Sequence, residues 1–583
     1  MTYANSLSGP LLFDDQAAIL TNTQIRRLWP PAEALAPPRD SVLASRPIVN
    51  FSFAINYAIG GLSVRGFHVV NVSLHILSAL ALFGITRRTL ATPKLRERFG
   101  AASGGLALAC ALIWMVHPLQ TESVDYVTQR TELMVGLFYL TTLYCAIRAT
   151  GSATPERWHA ASIVSCLVGM GCKESMVTAP LVVLVYDRIF SFDSMREAWR
   201  SRKGLYSGLS VSWLEFAGLM TARAHTVTGF NYGVSPWTYL LNQAQMIVQY
   251  LKLTVWPHAL VLDYGPPRRL VLMEVLPQAA LVVALLALTA TALVLRPMAG
   301  FLGAWFFITL APASSFLPIV TEVGAERRMY LPLAAVVVLA VIGAWQLLEK
   351  VGRQASFPGV VALSVVVGAL AHATAQRNHD YASGVTLLQT SVDRWPHGRA
   401  HFNLATVLKE QGRIEEAIAH LRAAVPDDPP AQYVLGSELY DRRQFDEAIK
   451  ELRAFIDRNP GSLHQTVAAR NLIALSLAQQ GKPGPAIEEF QAALTMDPGN
   501  AALHGNLAFI LLRQNNFDGA RRHYEAYLAG RAGSVFVLTN LGIALQALGK
   551  IDEAKERFRQ ALAIDPNAID ARRGLDGTRH PTR

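Results

Sequence analysis

Between residues 67 and 375 the apolar positions come in long blocks, not in stripes. A helix needs about 17–25 mostly apolar residues to cross a bilayer. Ten segments approach that length: 67–86, 101–118, 131–148, 158–172, 175–190, 204–221, 272–296, 300–317, 329–347 and 358–375. The pair 158–172 and 175–190 is short and reads equally as one broken hairpin. Between the sixth and seventh blocks lies a broad loop, 223–271, rich in aromatics. It contains Phe230-Asn-Tyr-Gly-Val-Ser-Pro236, an amphipathic stretch 237–256 and Pro257-His-Ala-Leu-Val-Leu-Asp-Tyr264. Aromatics at this density suit a helix lying in the membrane interface.

Beyond the last block the pattern repeats. Glu416-Ala417, Glu447-Ala448, Pro485-Ala486, Gly519-Ala520 and Glu553-Ala554 recur at a spacing near 34, a period that marks helix-turn-helix repeats of the tetratricopeptide type. Upstream of them stand Asn403-Leu404, Leu435-Gly436, Asn471-Leu472, Asn506-Leu507 and Asn540-Leu541. Downstream come the helix-stopping pairs Asp428-Pro429, Asn459-Pro460, Asp497-Pro498 and Asp565-Pro566. Small residues at the crossings let paired helices approach, and stacking buries a continuous core. Residues 380–396 read as the second helix of a degenerate leading repeat. The expected fold is all-α: a polytopic transmembrane bundle followed by an α-solenoid. Three parts are expected: a first outer segment over 1–66, a membrane domain over 67–375 and a repeat domain over 376–583.

Composition sharpens the division. Only 16% of the 583 residues are charged, against about 25% in a soluble domain. From Ala400 onward 22 basic residues balance 22 acidic ones, so the net +10 lies entirely in the first part, with 31 basic and 21 acidic groups. Basic residues clustered between apolar blocks signify membrane topology, not nucleic-acid binding. Loops 87–100, 148–157, 187–203, the Arg296 turn and 349–353 hold 15 of them, while the short loops opposite hold Arg130, Lys173, Arg327 and Arg328. The 15-residue side is the cytoplasm by the positive-inside rule. With ten spans, both termini and the repeats are then expected outside, in a multi-pass inner (cell) membrane protein. Cys110, Cys145, Cys166 and Cys172 lie in or at the ends of apolar blocks, with neither disulfide nor zinc spacing, and read as small packing residues.

Polar residues beside apolar blocks are expensive and so are candidates for chemistry. Asp14-Asp15 sits within Leu11-Leu-Phe-Asp-Asp-Gln-Ala-Ala-Ile19. Mutual repulsion and desolvation both raise a carboxylate pKa, which suits a general base; a solvated helix cap is the plainer reading. His68, Asn71 and His75 share one face of the first block, as an inter-helix polar stripe. Their spacing does not make a zinc site, and no metal ligand set is expected. His117, Glu122, Arg130 and Glu132 bracket one outer loop, Lys173 and Glu174 mark a second, Glu326, Arg327, Arg328 and Tyr330 a third, and Arg46 precedes Pro47. Anchoring puts basic residues inside; Arg and Lys gathered outside can hold a phosphate.

The succession Phe13-Asp-Asp, Arg46-Pro, Asn56-Tyr57, Gly66-Phe-His-Val-Val-Asn71, His75, Val116-His-Pro118, Arg130, Cys172-Lys-Glu174, Leu262-Asp-Tyr264 and Ala325-Glu-Arg327 with Tyr330-Leu-Pro332, followed by the repeats, resembles the transmembrane and tetratricopeptide-repeat-containing protein O-mannosyltransferases, in a bacterial version. The resemblance implies a C-type glycosyltransferase fold. It also implies a polyprenyl-phosphate sugar donor, a Ser/Thr acceptor on extracytoplasmic proteins, and the acidic pair in the first outer loop. Two departures stand out. The family's span ahead of the acidic pair does not precede Phe13, and upstream codons are expected to encode it. The arginine motif, which usually ends in Asp, ends here in Glu132.

The expected reaction is inverting transfer of mannose or a similar sugar. Asp14 or Asp15 acts as base, with Asp14 favoured by the resemblance, and Arg46, Arg130, Lys173, Arg327 and Arg328 offset the donor phosphate. His68, Asn71, His75, His117, Glu122, Glu174, Asp263, Glu326 and Tyr330 are further site candidates. No resident cofactor, nucleotide or nucleic acid is expected; the partners are membrane lipid, the lipid-linked sugar and a protein or peptide acceptor on the repeats. Need for a divalent metal is not legible. The rival reading is a membrane-anchored repeat scaffold for an envelope complex without catalysis, and a third is a C-type transferase acting on lipid or glycan. Ten blocks with ordered acids and bases exceed what an anchor needs.

Overall fold

The computed structural model describes residues 2–39, 41–221, 233–315, 317–351, 356–458 and 463–579. Phe230, Asn231 and Tyr232 of the aromatic loop, Arg353, and the Asn459-Pro460 stop lie outside the described residues. Every described element is helical, apart from one isolated bridge residue near 319. The chain divides into two compact units, Met1–Pro396 and His397–Arg583. The division falls after the leading helix Gly384–Arg394, so the second unit starts at 397 and not at the expected 376, because Leu387 packs with Leu12, Tyr126 and Tyr381 of the first unit.

In the first unit, short 3-10 and π turns (Ala4–Ser8, Gln16–Leu20, Thr23–Arg26) lead to the helix Pro47–Gly60. Proline starts that helix at no cost, since the first N–H of a helix has no partner anyway. Helices then occupy all ten predicted blocks: Val64–Leu90, Ser103–Met115, Arg130–Ala149, Pro155–Met170, Ala179–Tyr186, Met195–Thr221, Leu276–Leu295, Pro297–Leu310, Pro332–Val351 and Ser356–Asp380. Five are long and apolar enough to cross a membrane: Val64–Leu90, Val127–Ala149, Leu276–Leu295, Pro332–Lys350 and Pro358–Asp380. Among the described residues, the pair Ser103–Met115 and Pro118–Asp125, bent by 56°, passes the same test only when taken together, as a broken span or a re-entrant loop. The bend falls where Pro118 removes a backbone donor and pushes its predecessor out of the α region. The other four are shorter or more polar than the block pattern suggested; Ala179–Tyr186, for example, runs straight into a π turn at Asp187–Ser191. Leu276–Leu295 is apolar all round and buries none of its side chains. Such a helix is stable only with hydrocarbon around it. The stretch expected to lie amphipathically in the interface forms the helix Pro236–Val255. The four cysteines are buried free thiols, as packing residues should be.

The second unit is five helix pairs: Gly398–Glu410 with Ile414–Ala424, Pro429–Asp441 with Phe445–Arg458, Leu463–Gln479 with Pro483–Met496, Ala501–Arg513 with Phe517–Gly530, and Val535–Ala547 with Ile551–Ile564, closed by Ile569–Arg579. The signature alanines 417, 448, 486, 520 and 554 are all fully buried. Five residues before each, the turn between paired helices passes through the left-handed region, at Gly412, Arg443, Gly481, Asn515 and Gly549. Glycine takes that conformation freely, whereas Arg443 and Asn515 pay a small steric cost there. Helices pack almost entirely on their neighbours in the chain, as a stacked array requires.

Candidate functional site on the loop face of the first unit

The acidic pair divides its labour. Asp15 is 1% exposed and its carboxylate is fully engaged: Oδ2 accepts from Leu12 N–H at 2.8 Å, and Oδ1 accepts from Thr128 N–H at 2.8 Å and Thr128 Oγ1 at 2.9 Å. It clamps the N-terminal segment to the loop that enters Arg130–Ala149. Burial raises its pKa from 3.8 to about 6; the donors from Leu12 and Thr128 pull it down and neighbouring Asp14 adds to the rise. Asp14 is half-buried, and its N–H donates to the Tyr126 hydroxyl at 3.0 Å. Phe13 takes φ +43° and meets the Tyr126 ring edge-on.

Two of the five predicted phosphate cations are consumed inside the fold. Arg130 is fully buried among neutral acceptors: Nε donates to Asn71 Oδ1 at 2.8 Å, and Nη2 to Asn56 Oδ1 at 2.9 Å and Phe67 O at 3.0 Å. Phe53 lies under the guanidinium at 4.4 Å. Dipoles and a ring face replace water around that charge. Arg328 donates to Ala313 O, Val323 O, Tyr239 Oη and Glu322.

The other three cations keep a partly exposed edge, and each has an acid beside it. Arg327 bridges two carboxylates: it bonds Glu122 through both N–H and guanidinium, and Glu322 through Nη2 at 2.6 and 2.7 Å. Burial would raise Glu322, but Arg327 and Arg328 outweigh it and hold its pKa at about 2. Lys173 pairs with Glu132, so the residue where the family motif has Asp serves as a counterion. Arg46 stands 3.7 Å from Glu174, and its buried Nε has no hydrogen-bond partner. Ile48 N–H donates to Gly171 O at 3.2 Å, which ties the Arg46 segment to the Lys173 loop. The pairs Arg46–Glu174 and Lys173–Glu132 therefore share one loop, through the adjacent residues Lys173 and Glu174.

The remaining candidates are mainly fasteners. His68 Nε2 bonds Gly9 O at 3.1 Å. Asn71 donates to Val124 O and Val127 O while accepting from Arg130. His75 lies between Tyr330 Oη at 3.0 Å and Met115 O at 2.9 Å, packed on Trp114. His117 accepts from Leu119 N–H and donates to Thr254 O, which fixes a neutral tautomer. Asp263 accepts from Gly265 N–H in a turn. Glu326 accepts from Val261 N–H and the Tyr264 hydroxyl, with Arg377 at 3.8 Å; burial raises its pKa to about 8 despite Arg377, with Glu122 adding to the rise. The sequence reading missed Glu322, Thr128 and Tyr126. An acid five residues ahead of the Arg327-Arg328 pair was a usable signal for Glu322; nothing marked the other two. No group of three or more His, Cys, Asp or Glu among the described residues can hold a metal ion.

Tetratricopeptide-repeat models match residues 373–431, 433–501, 477–534 and 535–568. Protein O-mannosyl-transferase Tmtc3 of Drosophila melanogaster is 24% identical over 88% of this chain and 65% of its own. Drosophila Tmtc2 is 28% identical over 45% of this chain and 29% of its own, and human TMTC2 is 30% identical over 38% and 28%. The chain thus spans less than two thirds of the curated relatives it matches. Among solved structures, the repeat protein YrrB is 16% identical, with a TM-score of 0.29, over 32% of this chain and 97% of that one.

Proposed function

We propose that this relative of the transmembrane and tetratricopeptide-repeat O-mannosyltransferases moves mannose or a similar sugar from a polyprenyl-phosphate donor to Ser/Thr hydroxyls of extracytoplasmic proteins, with inversion. The observation that carries the reading is the division within the acidic pair: Asp15 spends its carboxylate as a clamp, and Asp14 beside it retains exposure. A general base must be reachable and held in place, and this pair supplies both properties. The acceptor oxygen attacks the anomeric carbon as the bond to the phosphate oxygen breaks. Asp14 takes the hydroxyl proton, and the polyprenyl phosphate leaves as an anion.

Among the cations, Arg46 is the favoured phosphate contact. Its link to Glu174 is loose and its Nε is unpaired, so a phosphate would displace little. Lys173 is already neutralised by Glu132, and Arg327 by Glu122 and Glu322, so they contribute to the phosphate only by exchanging an acid for it. Arg130 and Arg328 act here by fixing the loops. The repeats recruit the acceptor protein, and both they and the site lie outside the inner membrane. A phosphatase fused after the last repeat should therefore be active, and an inactive fusion would reverse the topology.

The decisive assay is transfer from a synthetic polyprenyl-phosphate sugar to a Ser/Thr peptide in detergent. Asp14→Asn keeps shape and removes the base, so transfer should fall by roughly 10²–10⁴-fold while the protein stays folded. Full transfer by that variant would remove the base assignment. A wild type that transferred nothing from any polyprenyl donor would favour the scaffold reading.

A further inference from the structure

Four of the five helix pairs of the second unit carry a cross-helix polar contact at a fixed register, between residues nineteen apart, the second lying three residues past the buried signature alanine. In two pairs a donor meets an acid: Gln432 with Glu451 at 3.0 Å and Arg470 with Glu489 at 2.6 Å. In two others both members are histidine. His401 Nδ1 faces His420 Nδ1 at 3.0 Å, and His504 Nδ1 faces His523 Nδ1 at 2.9 Å. The ring centroids are 5.2 and 5.1 Å apart with interplanar angles of 30° and 31°, so one geometry is built twice, three repeats apart.

The tautomer at one pair is set by its surroundings. His504 Nε2 lies 3.0 Å from Pro498 O, and a carbonyl can only accept, so Nε2 carries the proton. The Nδ1 lone pair of His504 therefore points at His523. A ring N–H donated to a backbone carbonyl is the usual way a protein orients a histidine toward a metal. The spacing is that of an N–H···N hydrogen bond and also matches right-angled ligation: nitrogens about 2.05 Å from one ion lie about 3.35 Å apart at the tetrahedral angle and about 2.9 Å apart at a right angle. Right-angled nitrogen ligation suits Cu(II) and Ni(II).

We propose that His504 with His523, and His401 with His420, are two-nitrogen sites for a divalent transition ion that prefers right-angled ligation, Cu(II) or Ni(II), with water completing the shell. All four rings are half-buried, which leaves room for that water. Binding needs both imidazoles neutral. The proton shared between the facing Nδ1 atoms moves to His523 Nε2, and none is released from a neutral pair.

The test uses the full chain in detergent, stripped with a chelator and titrated with Cu(II) alone. Because the chain has 15 histidines, variants assign the sites. Wild type should take up about two equivalents in the tight range, each with nitrogen coupling from two imidazoles in the electron paramagnetic resonance spectrum. H523Q and H420Q should each weaken one equivalent by more than about tenfold, and the double variant should weaken both. Uptake unchanged in the double variant, or wild-type uptake only at millimolar metal, would overturn the proposal. Should the glutamine variants not fold, the wild-type spectrum decides alone: coupling to a number of nitrogens other than two per ion overturns it.

Discussion

Replacing Thr128 by valine removes the hydroxyl that donates to Asp15 Oδ1 at 2.9 Å and leaves the Thr128 N–H bond at 2.8 Å in place. A hydrogen bond to a charged group contributes about 1.5–3 kcal/mol, and its loss leaves a buried carboxylate under-bonded. The effect depends on pH with a defined sign. Burial lifts Asp15 from 3.8 to about 6, so between those values the closed segment binds more protons than the opened one. The stability of the closed clamp is then fullest below the unfolded value and declines as pH rises through about 6. A shift of about two units amounts to about 3 kcal/mol. The donor that Thr128→Val removes favours the ionised form, to which its bond is stronger, so Asp15 should titrate higher still and the decline should deepen by up to about 1.5–3 kcal/mol, or roughly ten- to hundredfold in opening. Hydrogen exchange of peptides covering 9–17 and 122–130, corrected for intrinsic rates, reads this directly at about pH 4.5 and about pH 7.5. The variant should open more at the higher pH and nearly as wild type at the lower one. An opening free energy that is flat with pH in both proteins would refute the clamp argument.

Three further outcomes follow from the packing. Arg327→Lys cannot reach both Glu122 and Glu322, and the deserted buried carboxylate should cost about 3–5 kcal/mol, seen as a lower melting midpoint in detergent. At Gly136 an added Cβ would lie 2.3 Å from the Tyr330 ring, so Gly136→Ala should destabilise by about 1–3 kcal/mol and loosen His75, with increased protection loss around 68–75 as the check. Gly542→Ala would put a Cβ 2.6 Å from the Phe558 ring; exchange should rise in the last helix pair and stay unchanged in the first.

The array was legible nearly residue by residue, because its alanines, asparagines and stop prolines repeat in register and each marks one packing event. The membrane helices were legible as apolar blocks, yet a block does not reveal where a helix bends or stops. Pro118 in the second block and the π turn after Tyr186 are backbone events inside continuous apolarity. At the candidate site the residue types were found and their duties were not. Arg130 looks like a free outer cation until Asn56, Asn71, Ser52 and Phe67, distant in sequence, close around it. Neutral acceptors leave no charge signature, so composition and spacing could not predict that shell. Asp14 and Asp15 are indistinguishable as neighbours; Thr128, more than a hundred residues away, tells them apart.

Helix pairs that touch only their neighbours have an evolutionary corollary. Length is a free variable in such a stack: one pair can be duplicated or deleted and the two flanking faces still fit each other. The reach of the repeat surface can drift between lineages in steps of one repeat, while the acid clamp and its cations stay untouched. Divergence should therefore accumulate as changes in repeat number in the second unit and as point substitutions in the first.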